Sequence, residues 1–559
     1  MRAVDFIIET LVAEGITHLF GVGGANIEDL YDAAANRPDI TAMLAKHEFS
    51  AGAMADGYSR ATGRLGVVIT TSGGAALNVV PALGESLASR VPVLALVGQA
   101  PTGFDGRGSF QDTSGHNGSI NAEALFTEVS LFCRRVTTAS DIADALPAAL
   151  WAAKRGGPAV LLLPKDVQQA TMADDAVVTA AATASSPLTA DDLGRLATAI
   201  GAGRRLTIIA GRQVARDDAR AELERLRELV DAHVATTPDA KDTADGAPAH
   251  RHLGVTGVMG NPQVAAAVRD SGTCLLVGTR LSMTARSGLD DALAATTTLS
   301  IGSAPPFVDG DHVHSDDLKE ALSQLISAVE PIRGGSDGGD HPRAELLPPA
   351  HDGHGVRYRD AMAALDRTLP GGVDVVVDAG NTGAAAVHQL PSRRGGRFLV
   401  ALGMGGMGYS FGAAIGVAVG RGRRTVVIAG DGSFFMHGSE IHTAIQYRLP
   451  VVFVLFNNNA HAMCVTREQL FYDADYSFNR FLPSSLGAGL AAMYPGLRAV
   501  DVTTTDELSE ALGTALASDG PSVVTVECSA DEIPPFAPFL NSPPHHRPEE
   551  VTSDVTAGT

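Results

Sequence analysis

Two polar clusters, each at the end of an apolar run, carry the residues best suited to chemistry. Thr425-Val426-Val427-Ile428-Ala429 leads into Gly430-Asp431-Gly432-Ser433, a carboxylate between two glycines. Val451-Val452-Phe453-Val454-Leu455-Phe456 leads into Asn457-Asn458-Asn459. Residues 439–447 between them read as a helix, so the unit is strand, helix, strand. A right-handed crossover brings both strand ends to one edge of a parallel sheet, where Asp431 and Asn458 face each other across a crevice. A carboxylate and an amide oxygen are hard ligands of the kind Mg²⁺ takes, with phosphate oxygens usually completing its shell. Flanking glycines let backbone N–H groups approach such an anion closely. Together these residues predict a site for Mg²⁺ and a diphosphate.

A second glycine cluster competes for the same stretch. Gly403-Met404-Gly405-Gly406-Met407-Gly408 satisfies G-x-G-x-x-G, follows an apolar strand at 398–402 and opens a helix. Asp431 then stands at a strand end about 20 residues on, as in a dinucleotide fold. An NAD-dependent dehydrogenase is therefore an alternative. Against it, a ribose-binding acid has no need of glycines on both sides, and Asn457-Asn458 would have no role.

The elements that must position these groups follow from the alternation of apolar strands and amphipathic helices. A chain of 559 residues divides into roughly three domains by size. In the first, 1–176, a helix at 3–14 is followed by strands at 18–22, 41–45, 66–71 and 91–98, with helices at 27–34, 50–62 and 78–89. Such alternation is the mark of a doubly wound parallel sheet. Residues 179–186 are only Ala, Thr and Ser and read as a linker. A second block, 187–330, has strands at 206–210, 273–277 and 298–301; its polar, aperiodic middle, 236–252, reads as a mobile loop. Residues 331–355 form a Gly-, Pro- and Asp-rich linker, 356–540 a third block, and 541–559 a disordered tail. The expected fold is α/β, with three doubly wound parallel-sheet domains.

A formal charge of −21 without any Lys/Arg run argues against a nucleic-acid partner. No apolar run approaches the ~20 residues that span a membrane. Asp5, Glu9 and Glu14 interrupt the first apolar residues, so no signal peptide is expected. The four cysteines lie far apart without C-x-x-C spacing, which fits a reducing cytoplasm.

With Gly430-Asp431-Gly432 and Asn457-Asn458 in place, the chain resembles the thiamine-diphosphate-dependent enzymes of the acetolactate synthase, pyruvate oxidase and 2-oxo acid decarboxylase group. Lys46-His47-Glu48, followed by Met54-Ala55-Asp56-Gly57-Tyr58-Ser59-Arg60-Ala61-Thr62-Gly63, is similar to the family's second hallmark. The resemblance spans nearly the whole chain and implies pyrimidine-binding, middle and diphosphate-binding domains in that order. It implies that Asp431, Asn458 and the carbonyl of Ala460 hold Mg²⁺ against the diphosphate, with Asn381, Thr382, Gly432 and Ser433 as further contacts. Glu48 would hydrogen-bond the pyrimidine and activate the cofactor. Met407 would wedge the cofactor into its bent form, and the carbonyl of Gly405 would receive its amino group. Because Glu48 and Asp431 serve one site from different subunits in this family, a homodimer or dimer of dimers is implied.

Within the group, Ser109-Phe110-Gln111-Asp112 resembles the acetolactate synthase segment whose Phe and Gln line the active site. Met463 and Leu470-Phe471-Tyr472 match that branch in spacing. The chain departs from it at Arg467, where an acceptor-selecting aromatic is expected, and at Asn459-Ala460-His461-Ala462. Ser114-Gly115-His116-Asn117-Gly118 is more similar to the histidine region of the decarboxylases. Gln111, His116 and His461 are thus candidate catalytic residues. Arg467, if it faces the site, favours an acceptor bearing a carboxylate or phosphate; His47 reads as structural. A carboligase is expected, which decarboxylates a pyruvate-like 2-oxo acid and passes the acyl unit to a second carbonyl compound. The alternative is simple decarboxylation with release of an aldehyde. A purely regulatory binder would not require Glu48. FAD in the middle domain, near Gly278-Thr279-Arg280-Leu281, is possible but not favoured.

Overall fold

Long apolar runs rich in Val, Ile and Leu build three six-stranded sheets, every strand parallel to its neighbours. The computed structural model describes residues 1–173, 187–201, 205–331, 341–473 and 478–541; the linker expected at 179–186, part of the one at 331–355 and almost all of the tail fall outside them. The first sheet contains β1 (His18–Gly21), β2 (Thr41–Leu44), β3 (Gly66–Thr70), β4 (Val93–Gln99), β5 (Phe132–Arg135) and β6 (Pro158–Pro164), in the order β2-β1-β3-β4-β6-β5. The second contains β7 (Leu206–Ala210), β8 (His233–Thr236), β9 (His252–Val255), β10 (Thr273–Val277), β11 (Thr297–Gly302) and β12 (Asp311–His314), ordered β12-β11-β10-β7-β8-β9. The third contains β13 (Asp374–Val377), β14 (Phe398–Val400), β15 (Thr425–Gly430), β16 (Val451–Asn457), β17 (Arg498–Val502) and β18 (Ser522–Glu527), ordered β14-β13-β15-β16-β18-β17. Sheets one and three share one strand order, which no sequence repeat discloses. Central strands such as β4 and β16 are buried along their whole length, as strands covered by helices on both faces must be.

Two helices join the first and third sheets. α1 (Glu48–Thr62) packs along α4 (Tyr409–Arg421), with α2 (Gly74–Ala88) on its other side. A Cβ on Gly57 would strike the backbone of Ala413, and one on Gly416 the carbonyl of Met54. Glycine at both places lets the two backbones nearly touch.

The segment after β8 corrects the expectation of a mobile loop at 236–252. Pro238–Ala244 is a 3₁₀ helix, buried although polar. Lys241 Nζ donates to the carbonyls of Ala386, Val387 and Leu390, at the end of α3 (Asn381–Gln389). Burial holds its amine well below the ordinary lysine range. Asp242 pairs with Arg397 and Arg220. Hydrogen bonds to a neighbouring sheet hold this stretch, and they leave no hydrophobic period to read. The helix expected at 439–447 is shorter: α5 (Asp431–His437) starts at the carboxylate itself, followed by a 3₁₀ turn at Gly438–Glu440 and a helix at Ile441–Gln446. The described part of the second linker, 341–355, lacks regular structure but is tied down, with Ala344 bonded to Asn261 and Gln263 and Leu346 N–H donating to His388.

Candidate active site

The third sheet grows outward from β13 to β14, then resumes on the other side of β13 with β15. Such a reversal opens a crevice beyond the carboxyl ends of the two central strands. Asp378 follows β13, Asp431 follows β15, and Asn458 follows β16.

Asp431 is buried, and burial raises its carboxyl to about 6 against the pull of the N–H groups of Gly432, Asn459, Ala460 and Asn458. The Ala460 N–H lies 3.2 Å from Asp431 Oδ2 and 3.1 Å from Asn458 Oδ1. Two hard oxygens therefore share one proton, an arrangement that a small divalent cation would satisfy better. Asn381 Nδ2 donates to Thr466 Oγ1 at 3.0 Å, while its buried Oδ1 has no hydrogen-bond partner among the described residues. Thr382 is buried beside it. Ser433 Oγ donates to Asp378 Oδ1 at 2.6 Å.

Gly432 marks the tightest place. A Cβ there would lie 2.6 Å from His461 Nδ1 and 3.3 Å from Met407 Cε. The His461 ring stands edge-on to Phe481 at 4.7 Å, and its buried Nδ1 has no hydrogen-bond partner among the described residues. Gly405 and Met407 belong to the loop that crosses in front of Gly432, and Gly405 has φ +67°. Asp431, Asn458, Ala460, Gly432, Ser433, Met407 and His461 are thus brought together.

A second cluster lies on the first sheet. Glu48 is the first residue of α1, buried, and its Oε2 accepts from Asn78 Nδ2 at 2.9 Å. His47 caps α1 through Nδ1, which accepts the Phe49 N–H. Gln111 adopts φ +59°, and its Oε1 accepts from Ser72 Oγ at 3.3 Å. Ser72 in turn accepts from Asn26 Nδ2. The His47 N–H donates to Glu440 at 3.1 Å and its ring meets His437 edge-on at 5.0 Å, so this cluster reaches the end of α5, but among the described residues no hydrogen bond joins Glu48 or Gln111 to Asp431 or Asn458. Phe110 and His116 project into solvent from the same segment as Gln111. Arg467 also stays outside: it sits on the exposed face of α6 (Ala462–Phe471), its guanidinium 5.4 Å over the Phe471 ring.

The glycine loop at 403–408 is not a dinucleotide turn. Its N–H groups at Gly403 and Met404 are given to Glu85 and that at Gly408 to Asp378, which also accepts from Ser410 at the start of α4. A pyrophosphate would need those donors free and would be repelled by the acids. Asp378 and Glu85 were not among the residues singled out from the sequence. Asp378 ends the apolar run Val375-Val376-Val377, the same signal that marked Asp431; Glu85, inside a helix, gave none.

Gly278, Thr279, Arg280 and Leu281 line a separate cleft of about 150 Å³, together with Arg90, Arg212, Phe307 and Gly403. The Arg212 guanidinium is lowered to about 10 by burial and the nearby Arg60; its Nε lies 3.9 Å from Asp239 Oδ2 and has no hydrogen bond among the described residues.

Comparison with known proteins agrees with this geometry. Residues 1–119 match the model of the thiamine pyrophosphate enzyme N-terminal TPP binding domain, 193–325 that of the central domain and 378–526 that of the C-terminal TPP binding domain. The chain is 28% identical to a probable acetolactate synthase large subunit of Methanocaldococcus jannaschii, over 96% of this chain and 94% of that one. It is also 28% identical to the acetolactate synthase isozyme 2 large subunit of Escherichia coli, with 97% of each covered. A crystal structure of benzoylformate decarboxylase from Polynucleobacter necessarius shares the fold, with a TM-score of 0.81 at 20% identity over 95% of this chain and 99% of that one. Three matched domains in order, with acetolactate synthase relatives along nearly the whole chain, place it in the family of thiamine-diphosphate-dependent enzymes that make or break carbon–carbon bonds.

Proposed function

We propose that the protein is a Mg²⁺-requiring carboligase, which decarboxylates a pyruvate-like 2-oxo acid and joins the remaining acyl unit to a second carbonyl compound. The observation that carries the cofactor half is the convergence of Asp431 and Asn458 oxygens on the Ala460 N–H, beside Gly432 and Met407. Asp431, Asn458 and the carbonyl of Ala460 would hold Mg²⁺, and Asn381, Thr382, Gly432 and Ser433 would flank the diphosphate. Met407 and the carbonyl of Gly405 would face the aminopyrimidine. Thiamine diphosphate, when bound, supplies the carbon nucleophile and the electron sink for decarboxylation. The chain's own residues would orient it, with buried Glu48 placed to exchange a proton with the pyrimidine ring. Carboligation is favoured by the acetolactate synthase relatives.

Among the described residues Glu48 shares no hydrogen bond with Asp431 or Asn458 within one chain, so a second copy would complete each site. Exposed apolar side chains around both clusters suit such an interface: Phe110 is 78% exposed, Phe478 87% and Leu482 89%, with Met404, Phe435 and Met436 also uncovered. Gln111, and with it Phe110 and His116, would approach substrate only in that assembly, and Arg467 would face an acceptor only if the α6 region closes over it. A soluble, cytoplasmic dimer or dimer of dimers belongs to this proposal.

A decarboxylase remains the second reading, and His461 is the reason. Its unpartnered Nδ1 beside Gly432 is placed to deliver a proton where the carboligase must admit an electrophile. Product analysis after incubation with thiamine diphosphate, Mg²⁺ and pyruvate, alone and with aldehydes or a second 2-oxo acid, separates the two. Coupled product supports the carboligase; free aldehyde alone overturns it. Flavin is not part of the proposal, and visible absorbance of the purified protein would reveal it.

A further inference from the structure

The loop that carries Gly405 and Met407 is pinned at both ends by buried carboxylates from different sheets. At the far end Asp378, after β13, accepts Gly408 N–H at 3.0 Å on Oδ1 and Ser410 N–H at 2.9 Å on Oδ2. At the near end Glu85, on α2 beside the first sheet, accepts Gly403 N–H at 3.2 Å on Oε1 and Met404 N–H at 2.6 Å on Oε2. Glu85 is buried and held in turn by Arg60 at 2.8 Å and Ser89 Oγ at 2.7 Å. Arg60 also pairs with Asp56, which accepts from Ser86 Oγ at 2.7 Å and from the hydroxyl of Tyr409, the first residue of α4, at 2.6 Å.

We propose that Glu85 is a positioning residue: through the N–H groups of Gly403 and Met404 it sets where Met407 stands against Gly432, and so governs recognition of the thiamine portion of the cofactor. Two carboxylates, Asp56 and Glu85, share one guanidinium. The second negative charge is left to the loop N–H groups, which makes those bonds charge-assisted and strong. A run of four glycines and two methionines has little stiffness of its own. Without the near clamp, Met407 keeps only the Asp378 end. The diphosphate contacts lie on other elements, at Asn381, Gly432 and Ser433, and do not pass through Glu85.

The proposal rests on the thiamine diphosphate site described above, and the test keeps the two apart. Calorimetric titration of the full chain compares thiamine diphosphate with inorganic diphosphate, each with Mg²⁺, for wild type, Glu85→Gln and Ser89→Ala. Glu85→Gln should bind thiamine diphosphate about tenfold more weakly, roughly 1.4 kcal/mol, while its affinity for inorganic diphosphate stays within about twofold. Ser89→Ala, which removes one supporting donor and should fold normally, should show the same selectivity on a smaller scale. Equal loss of both ligands, or unchanged thiamine diphosphate binding, overturns the positioning role. If Glu85→Gln does not fold, Ser89→Ala decides on the same criteria. Failure of the wild type to bind thiamine diphosphate at all would instead overturn the assigned site, and the proposal with it.

Discussion

Asp242, on the segment after β8, forms a buried ion pair with Arg397, just before β14, and so ties the second sheet to the third. The same guanidinium reaches the first sheet's helix: Arg397 Nη1 donates to the carbonyls of Arg60 and Ala61 in the last turn of α1. Arg220 Nη2 donates to Asp242 Oδ2 at 3.2 Å. One carboxylate thus serves two arginines where all three sheets meet. Asp242→Asn would leave two guanidinium groups without their counter-charge, a loss of about 3–5 kcal/mol for a broken buried pair. An earlier urea transition and a lower Tm are expected; a variant as stable as wild type would show that the junction is dispensable.

Glu48 and Asp431 should belong to sites shared between chains. Glu48→Gln alone should reduce turnover on the order of 10²–10⁴-fold while leaving thiamine diphosphate binding largely intact. Asp431→Asn alone should abolish Mg²⁺-dependent binding. Co-expression of the two inactive variants should restore about a quarter of wild-type activity, since half of randomly paired dimers are mixed and each has one intact site. No recovery in a mixture shown to contain mixed dimers would place both residues in one chain's site.

Gly432→Ala tests the crowding at the crevice. The new methyl would meet His461 Nδ1 at 2.6 Å and Met407 Cε at 3.3 Å. Overpacking of this kind costs about 1–3 kcal/mol, felt here as weaker cofactor affinity. Adding His461→Ala should recover part of that affinity by vacating the space. Calorimetric titration checks both steps, and a double variant no better than the single one would remove His461 from contact with the site.

His388 should make stability depend on mild acid. Its Nδ1 lies 3.0 Å from the Met259 carbonyl, and its Nε2 accepts the Leu346 N–H at 2.9 Å. Only the neutral ring can do both. Burial lowers it from 6.5 to about 4. The unfolded chain takes up a proton that the folded chain refuses, so its stability contribution is complete above pH 6.5 and is lost as pH falls towards 4. The loss approaches about 3 kcal/mol. His388→Gln should be less stable at neutral pH yet show a shallower fall of Tm between pH 6.5 and 5. An unchanged slope would assign the acid sensitivity elsewhere.

Local pattern determined much of this protein. Apolar runs of strand length ending in Gly-Asp-Gly and Asn-Asn were enough to place Asp431 and Asn458 at neighbouring strand ends, because a strand's side chains and its terminating residues are written consecutively. The α/β class and the three sheets follow from the same alternation. Tertiary structure alone decided the rest. The common strand order of the first and third sheets depends on which strands pair, not on what each contains. The buried 3₁₀ helix at Pro238–Ala244 is polar because its partners, Arg397 and the end of α3, lie about 150 residues away. Arg467, a candidate acceptor-binding cation by sequence, is turned outward by the phase of α6. The glycine loop that imitated a dinucleotide turn lost that meaning once Glu85 and Asp378 were found on its N–H groups. Side-chain contacts between residues hundreds of positions apart carry no period, and only docking of the sheets brings them into being.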